Sequence, residues 1–156
     1  MKIDSHTVYV FNITDRIELG HIKKQVLYDK VTDGRISGLL MEDFIESAFE
    51  NVAKAPNAKS PFDLYVDDYK YESRVVTGNG VKLIPSNQIG TGRKFNLEGY
   101  KAKRAGLDGY VFTEVADSPV LRILMLPEPD VPLVREMKRK DCLNLFSRYP
   151  NKKVKL

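Results

Sequence analysis

The longest regular pattern of apolar positions lies in residues 37–54. Its apolar side chains recur at spacings of three and four residues, which is the period of one face of an α-helix. Ser37 is a suitable N-cap, and Pro56 and Asn57 are expected to stop this helix near residue 54. The stripe consists of Leu40, Met41, Phe44, Ile45, Ala48, Phe49 and Val52, while Glu42, Glu46 and Glu50 share another face.

Several shorter segments have the composition of β-strands, with β-branched and aromatic residues between turn signals. Residues 7–13 form the first, and residues 62–66, 69–76 and 81–84 follow the helix. Residues 109–115 and 119–126 are apolar enough to be buried strands. Between them, residues 85–96 are predicted to be a loop, and residues 97–105 a short basic helix ending at Gly106. Residues 21–31 fit either a helix or a strand, and residues 32–34 indicate a turn.

The segment 61–77 reads as a β-hairpin, and two turn lengths remain open. A two-residue turn at Asp67-Asp68 puts Asp63 opposite Glu72, whereas a four-residue turn puts it opposite Arg74. Either way, the three side chains share one face, because residues two apart on a strand point to the same side. The other face would carry Phe62, Leu64, Val66, Tyr71, Ser73 and Val75 and pack on the 37–54 helix.

The composition is that of one globular domain spanning residues 1–156, with 42% hydrophobic and 29% charged residues. The single cysteine, Cys142, excludes an internal disulfide, and no apolar run is long enough for a membrane span or a signal peptide. We therefore expect a soluble, cytoplasmic protein. His6 and His21 lack the neighbouring ligands that a zinc site requires.

The positive charge is concentrated in two regions. Residues from about 135 onward, predicted to be a basic helix or tail, carry eight basic and two acidic side chains, against a net charge of +4 for the whole chain. This distribution favours a polyanionic partner, although a basic tail can serve solubility alone. The loop around Gly90 and Gly92 could hold phosphates or could be merely flexible. The second region contains Arg93, Lys94, Lys101, Lys103 and Arg104, which are predicted, together with Lys70 and Gln88, to form a nucleic-acid-binding surface.

The carboxylates of the hairpin face suggest a metal site. Asp63 and Glu72 would repel each other unless a cation lay between them, and Mg²⁺ favours one or two protein carboxylates together with water and phosphate oxygens. Arg74 would lie beside them and could stabilise a phosphate under attack. The alternative is an ordinary surface salt-bridge cluster of Asp63, Glu72 and Arg74.

This arrangement resembles the PD-(D/E)xK nuclease superfamily. The motif stands here as Pro61-Phe62-Asp63, then eight residues, then Glu72-Ser73-Arg74. The resemblance implies an α/β fold with a restriction-endonuclease-like αβββαβ core, a mixed central sheet flanked by helices. It also implies that Asp63 and Glu72 bind the metal, with Glu46 or Glu42 adding a carboxylate from the preceding helix.

The sequence departs from the family pattern at the lysine, which is Arg74 here. Arginine does not readily release its proton, so it can stabilise charge but cannot act as a general base. Lys70 and Lys82 are candidates to replace the lysine, although either could be a solvated surface side chain. Gln88 is a further polar candidate near the site.

The resemblance implies a metal-dependent DNA endonuclease that hydrolyses phosphodiester bonds, with its sequence specificity left open. It would use Mg²⁺, with Mn²⁺ as a substitute, come from a phage or prokaryote, and act as a homodimer if it cuts both strands. Two alternatives remain. One is a catalytically inactive nucleic-acid-binding protein on the same scaffold, and the other is a small structural or interaction domain.

Overall fold

The structure is a computed structural model, and it describes residues 1–13, 23, 25–26, 34–57 and 59–155, without the side chains of residues 34–36. The predictions made for His21, for most of residues 21–31 and for most of the turn at 32–34 therefore lie outside the described residues, while residues 25 and 26 are helical. Gly34 belongs to a helix.

The described residues form a mixed α/β fold with three helices and nine strands. The helices are α1 (Gly34–Ala48), α2 (Leu97–Ala105) and α3 (Arg139–Phe146). No helix in the described part of the chain is long and apolar enough to cross a membrane. The strands are β1 (Val8–Asn12), β2 (Val52–Lys54), β3 (Leu64–Val66), β4 (Tyr69–Val76), β5 (Val81–Lys82), β6 (Gly109–Glu114), β7 (Val120–Pro127), β8 (Glu136–Met137) and β9 (Asn151–Val154).

Seven of these strands form one mixed sheet, in the order β2-β3-β4-β6-β7-β1-β9. The pairs β4–β6 and β1–β9 are parallel, and the other neighbours are antiparallel. The chain passes from β4 to its parallel neighbour β6 through α2, because parallel strands require a long crossover connection. Strands β5 and β8 form a separate two-stranded sheet.

The sheet is covered on both faces. Every residue of β6 is buried, as expected for a central strand between two layers. On one face, Val111 belongs to a core with Met41, Ile45 and other residues of α1. On the other face, Tyr110 and Phe112 belong to a second core, which also contains Tyr100 of α2 and Cys142, Leu145 and Phe146 of α3.

The first helix is shorter than predicted at its C-terminal end. It begins at Gly34, so Ser37 is a buried helical residue and not the N-cap, and it ends at Ala48. The chain then reverses around Asn51, whose side chain accepts a hydrogen bond from the N–H of Ile3 and donates one to its carbonyl. Residues 52–54 therefore form strand β2, which pairs with β3. Periodicity alone could not separate this strand from the helix, because Val52 continues the apolar spacing.

The β-hairpin forms with the shorter of the two predicted turns. Val66 pairs with Tyr69 and Leu64 with Tyr71, so the turn consists of Asp67 and Asp68. The predicted packing of Leu64, Val66 and Tyr71 against α1 is confirmed. The prediction was wrong for Phe62, which lies in the core on the other face, with its ring centroid 4.6 Å from that of Tyr65.

Residues 81–84, predicted to form a further strand after the hairpin, do not join the main sheet. Only Val81 and Lys82 are extended, and they pair with Met137 and Glu136 of β8. Gly80 makes this pairing possible, because its φ is 93° and a Cβ there would lie 2.1 Å from the carbonyl oxygen of Met137. This contact, distant in sequence, left no local signal.

The basic C-terminal region is part of the fold. It contains α3, as one of the two predictions had it, and β9, which was not predicted and which adds a parallel strand beside β1. Strands 7–13, 109–115 and 119–126 and the helix 97–105, with its C-cap at Gly106, are confirmed within one or two residues.

Candidate active site

A cleft of about 420 Å³ opens between α1, the strand β4, the loop before β3 and helix α2. We call it the carboxylate cleft. Three carboxylates and three cations line it, and they come from five separate parts of the chain. They are Glu42 of α1, Asp63 before β3, Glu72 and Arg74 of β4, Lys82 of β5 and Lys103 of α2.

Glu72 is the most buried of these charged groups, with a side chain only 3% exposed. Its Oε1 is 2.6 Å from Arg74 Nη2 and 2.6 Å from Lys103 Nζ. Its Oε2 is buried and has no hydrogen-bond partner among the described residues. A buried carboxylate oxygen without a partner is costly, so this atom is free to accept a cation or a proton donor.

Asp63 lies on the same side of the hairpin as Glu72, as predicted. Its Oδ2 accepts a hydrogen bond of 2.9 Å from the backbone N–H of Ser73, which fixes the carboxylate against β4. Burial and the nearby charge of Glu72 raise the pKa of the Asp63 carboxyl, and the Ser73 hydrogen bond, Arg74 and Lys103 only partly oppose this.

The helix carboxylate of the cleft is Glu42, the second of the two candidates, and not Glu46. Burial and the charge of Asp63 raise the pKa of Glu42 to about 7, against the weaker lowering effect of Lys54. Glu46 is exposed, and its Oε1 accepts a hydrogen bond of 2.9 Å from the backbone N–H of Lys54. The chain reversal into β2 brings that N–H to Glu46, and this explains why Glu46 does not serve the cleft.

Lys103 takes the position beside Glu72 that a lysine was expected to occupy. Lys103 was predicted to belong to a nucleic-acid-binding surface. Instead, the Lys103 side chain is only 27% exposed and contacts the Glu72 carboxylate. Only the topology of the chain could have indicated that Lys103 reaches Glu72. A helix that crosses over between two parallel strands packs beside the first of them, and therefore a lysine on its inner face can reach that strand.

The other two candidate lysines differ in position. Lys82 lines the carboxylate cleft, although its strand belongs to the small sheet. Lys70 lies away from the cleft, with its Nζ 5.8 Å from the centroid of the Phe62 ring. The structure thus brings Lys82, and not Lys70, to the carboxylates.

The remaining predicted nucleic-acid contacts also separate. Arg93 and Gln88 line a second cleft next to the first. Lys94 is exposed, and Lys101 is exposed and lies 3.5 Å from Glu98. Arg93, Lys94 and Lys101 are therefore accessible cations. Gln88 is half-buried, and its Oε1 accepts a hydrogen bond from the N–H of Asn96.

Arg104 does not belong to a nucleic-acid surface, which corrects its assignment. It is 5% exposed, and its guanidinium donates to the Glu128 side chain and to the carbonyls of Glu128, Val131 and Pro132. It also stacks near the rings of Tyr100 and Tyr110. Its five donors are used to hold the 128–132 segment against α2, so Arg104 is part of the scaffold.

The alternative of a surface salt-bridge cluster is hard to reconcile with this burial. Exposed pairs contribute little and place their charges in water, whereas Glu72 and Arg74 are 3% and 17% exposed. Burial and neighbouring carboxylates raise the pKa of Glu42 and of Asp63 in this partly enclosed cleft, a combination typical of functional sites.

The carboxylates suit a hard divalent cation. In the described residues, no group of three or more His, Cys, Asp or Glu side chains is already arranged as a metal site. Mg²⁺ needs only one or two protein carboxylates, because water and phosphate fill its other positions. Asp63 and the unpartnered Oε2 of Glu72 provide such a pair, so the residues present fit this ion.

A comparison of the chain with protein-family models, with curated proteins and with solved structures gives no match in any of the three.

Proposed function

We propose that this protein is a metal-dependent nuclease that hydrolyses phosphodiester bonds of DNA in the carboxylate cleft. The observation that carries this proposal is the convergence of Glu42, Asp63 and Glu72 with Arg74 and Lys103 in one cleft. A carboxylate pair that binds a divalent cation, next to two fixed cationic side chains, is the combination that phosphoryl chemistry requires.

The order of elements supports the same proposal. Helix α1, strands β2, β3 and β4, helix α2 and strand β6 occur in this order along the chain, with the short strand β5 of the separate sheet between β4 and α2. This is the αβββαβ order of the PD-(D/E)xK superfamily, with β2 and not residues 81–84 as one of the three strands. Asp63 then directly precedes the second strand of that core and Glu72 lies on the third, which supports the equivalence with the family motif.

Asp63 and Glu72 would hold the Mg²⁺ ion, and Glu42 would add a third carboxylate to the same cleft. When bound, the ion polarises the phosphate and promotes ionisation of a water molecule. The partial burial of the cleft strengthens the attraction between these carboxylates and a cation, because the effective dielectric constant is lower than in water.

Arg74 and Lys103 have different tasks in this proposal. Arg74 carries a permanent charge and a planar set of donors, so it binds and neutralises phosphate oxygens. Lys103 is a compact point charge 2.6 Å from the Glu72 carboxylate, and in this proposal it orients the attacking water and offsets its negative charge. Lys103 would thereby provide the lysine that the family motif has at the position of Arg74.

A second candidate function is nucleic-acid binding without catalysis. It is favoured by one observation, that Oε1 of Glu72 already has two cationic partners at 2.6 Å. These partners neutralise Glu72 without a metal ion. Titration of Mn²⁺ into the wild type and into Asp63→Asn by calorimetry separates the candidates, because only the nuclease requires binding that depends on Asp63.

The decisive experiment is a cleavage assay with supercoiled plasmid and with labelled DNA and RNA strands, in Mg²⁺, in Mn²⁺ and in EDTA. We expect DNA cleavage in either metal and none in EDTA. Asp63→Asn and Glu72→Gln should each lower the rate by a factor on the order of 100 or more, since both remove a metal ligand.

Glu46→Gln is the matched control, because Glu46 lies one turn from Glu42 on α1 but outside the cleft. It should leave the rate within about twofold, while Glu42→Gln lowers it. Equal rates for the wild type and Asp63→Asn would contradict the proposal. If both DNA strands are cut, sedimentation analysis should find a dimer, since the described residues of one protomer form one carboxylate cleft.

A further inference from the structure

A second cleft, of about 400 Å³, adjoins the carboxylate cleft. We call it the basic cleft, and Lys82, Arg93 and Arg135 define its charge. The two clefts are adjacent, because Lys82 lines both and because Arg93 Nη1 donates a 2.8 Å hydrogen bond to the carbonyl of Ser86, a residue of the first cleft. A ligand in one can therefore extend into the other.

The cations of the basic cleft have one acidic neighbour, Glu136, which lies opposite Lys82 in the β5–β8 pair and interacts with the charges of Lys82 and Arg135. In the described part of the chain, Lys82, Arg93 and Arg135 form no salt bridge, although Glu136 lies in the same lining. Glu136 is instead paired with Lys138, at 3.1 Å. The basic cleft thus combines three cations with one carboxylate that is already neutralised, and this arrangement favours an anion.

Both guanidinium groups are held in fixed positions. Arg93 Nη1 donates to the carbonyls of Ser86 and Ile89, at 2.8 and 3.0 Å. The remaining N–H groups of Arg93, on Nε and Nη2, stay available to a ligand. The guanidinium of Arg135 lies 4.6 Å from the centroid of the Phe95 ring. A guanidinium stacked on a ring keeps its edge donors free, and planar donors of this kind suit phosphate oxygens.

We propose that the basic cleft binds a second phosphate of the substrate, one that neighbours the bond cleaved in the carboxylate cleft. This inference rests on the proposed function and specifies the substrate as a polynucleotide strand, and not a mononucleotide or a terminal phosphate. The volume of the basic cleft lies within the range of ~300–1,000 Å³ for clefts that hold small ligands. The basic cleft therefore accommodates part of one strand and not a duplex.

The inference can be tested by binding, separately from cleavage. Asp63→Asn serves as the background, and the anisotropy of fluorescent single-stranded and duplex oligonucleotides is measured in EDTA over a range of salt concentrations. The test variant is Arg93→Gln with Arg135→Gln. The control, Arg148→Gln with Lys153→Gln, removes the same charge from the C-terminal region.

We expect the test variant to weaken binding of the single strand by about 10- to 100-fold and to reduce the slope of log affinity against log salt concentration by about 0.7–1.4. The control should change the affinity less than threefold. In the cleavage-competent protein, the test variant should raise KM and leave kcat within a fewfold, because a neighbouring phosphate contributes mainly to binding.

Equal weakening by the two double variants would overturn the inference, since it would indicate a diffuse electrostatic surface. Unchanged binding by the test variant would overturn it as well. If binding depends on Arg93 and Arg135 but the wild type hydrolyses nothing in Mg²⁺ or Mn²⁺, the phosphate site stands and the proposed nuclease function fails. Arg93→Gln alone, at an exposed position, provides a second test if the Arg135 substitution disturbs Phe95.

Discussion

Replacing Glu42 by glutamine should stabilise the metal-free protein at pH 8, although it removes a charged group beside three cations. The pKa of Glu42 is raised to about 7 by burial and by the charge of Asp63, with smaller contributions from Asp43 and Glu72. A carboxyl whose pKa is higher in the folded state holds its proton more tightly there than in the unfolded chain. Folding stability therefore falls as the pH rises from the ordinary pKa of 4.5 to the folded pKa of about 7.

The magnitude follows from the difference between the ordinary value of 4.5 and the folded value of about 7. At about 1.36 kcal/mol for each tenfold change in proton affinity, the ionised form costs at most ~3 kcal/mol above pH 7. Partial exposure of Glu42 reduces this to roughly 1–2 kcal/mol, because water screens the charge. Glutamine is neutral at every pH, and Glu42 is protonated near pH 4. The stabilisation of Glu42→Gln relative to the wild type should therefore vanish near pH 4.

The assay is thermal unfolding in EDTA at pH 4 and at pH 8, for the wild type, Glu42→Gln and Glu46→Gln. At pH 8, Glu42→Gln should raise Tm by about 3–6 °C, given ~2–4 °C for each kcal/mol in a chain of this size. Glu46→Gln should be neutral or slightly destabilising at both pH values. A Glu42→Gln protein that is less stable at pH 8, or equally stabilised at both pH values, would refute a strained carboxylate at this position.

Four further outcomes follow from the structure. Lys103→Met should lower DNA cleavage at least about 100-fold, whereas Lys101→Met, exposed on the same helix, should change it less than threefold in the same assay. Gly80→Ala should cost about 2 kcal/mol or more in urea unfolding, because its positive φ and the nearby carbonyl of β8 leave no room for a Cβ. Arg104→Met should cost about 2–4 kcal/mol, since it leaves buried carbonyls without donors. Burial raises the pKa of the Cys142 thiol to about 11, so this residue should resist a thiol reagent at pH 8 until the protein unfolds.

Local pattern determined the hairpin that carries the site. The local pattern left a turn of two or four residues open, but either length puts Asp63 and Glu72 on one side, because the strand period is two. The structure then selected the two-residue turn at Asp67 and Asp68. The helix 97–105 and the two apolar strands that follow it could also be predicted, because capping residues and turns mark their ends.

Tertiary packing decided which helical residues join the hairpin. Glu42 and Glu46 lie one turn apart and are equivalent by periodicity, but the reversal at Asn51 ties Glu46 to the N–H of Lys54 and leaves Glu42 in the cleft. Lys103 and Arg104 are neighbours in sequence. The orientation of α2 on the sheet turns Lys103 toward Glu72 and buries Arg104 against the 128–132 segment.

The common reason is the range over which each interaction acts. Strand alternation, turn geometry and helix capping depend on residues a few positions apart, so the sequence alone determined the hairpin and its two carboxylates. The direction in which a helix presents a charged side chain depends on how its apolar face packs on a sheet assembled from distant segments. Only the tertiary structure could therefore assign Glu42 and Lys103 to the site and open the basic cleft beside it.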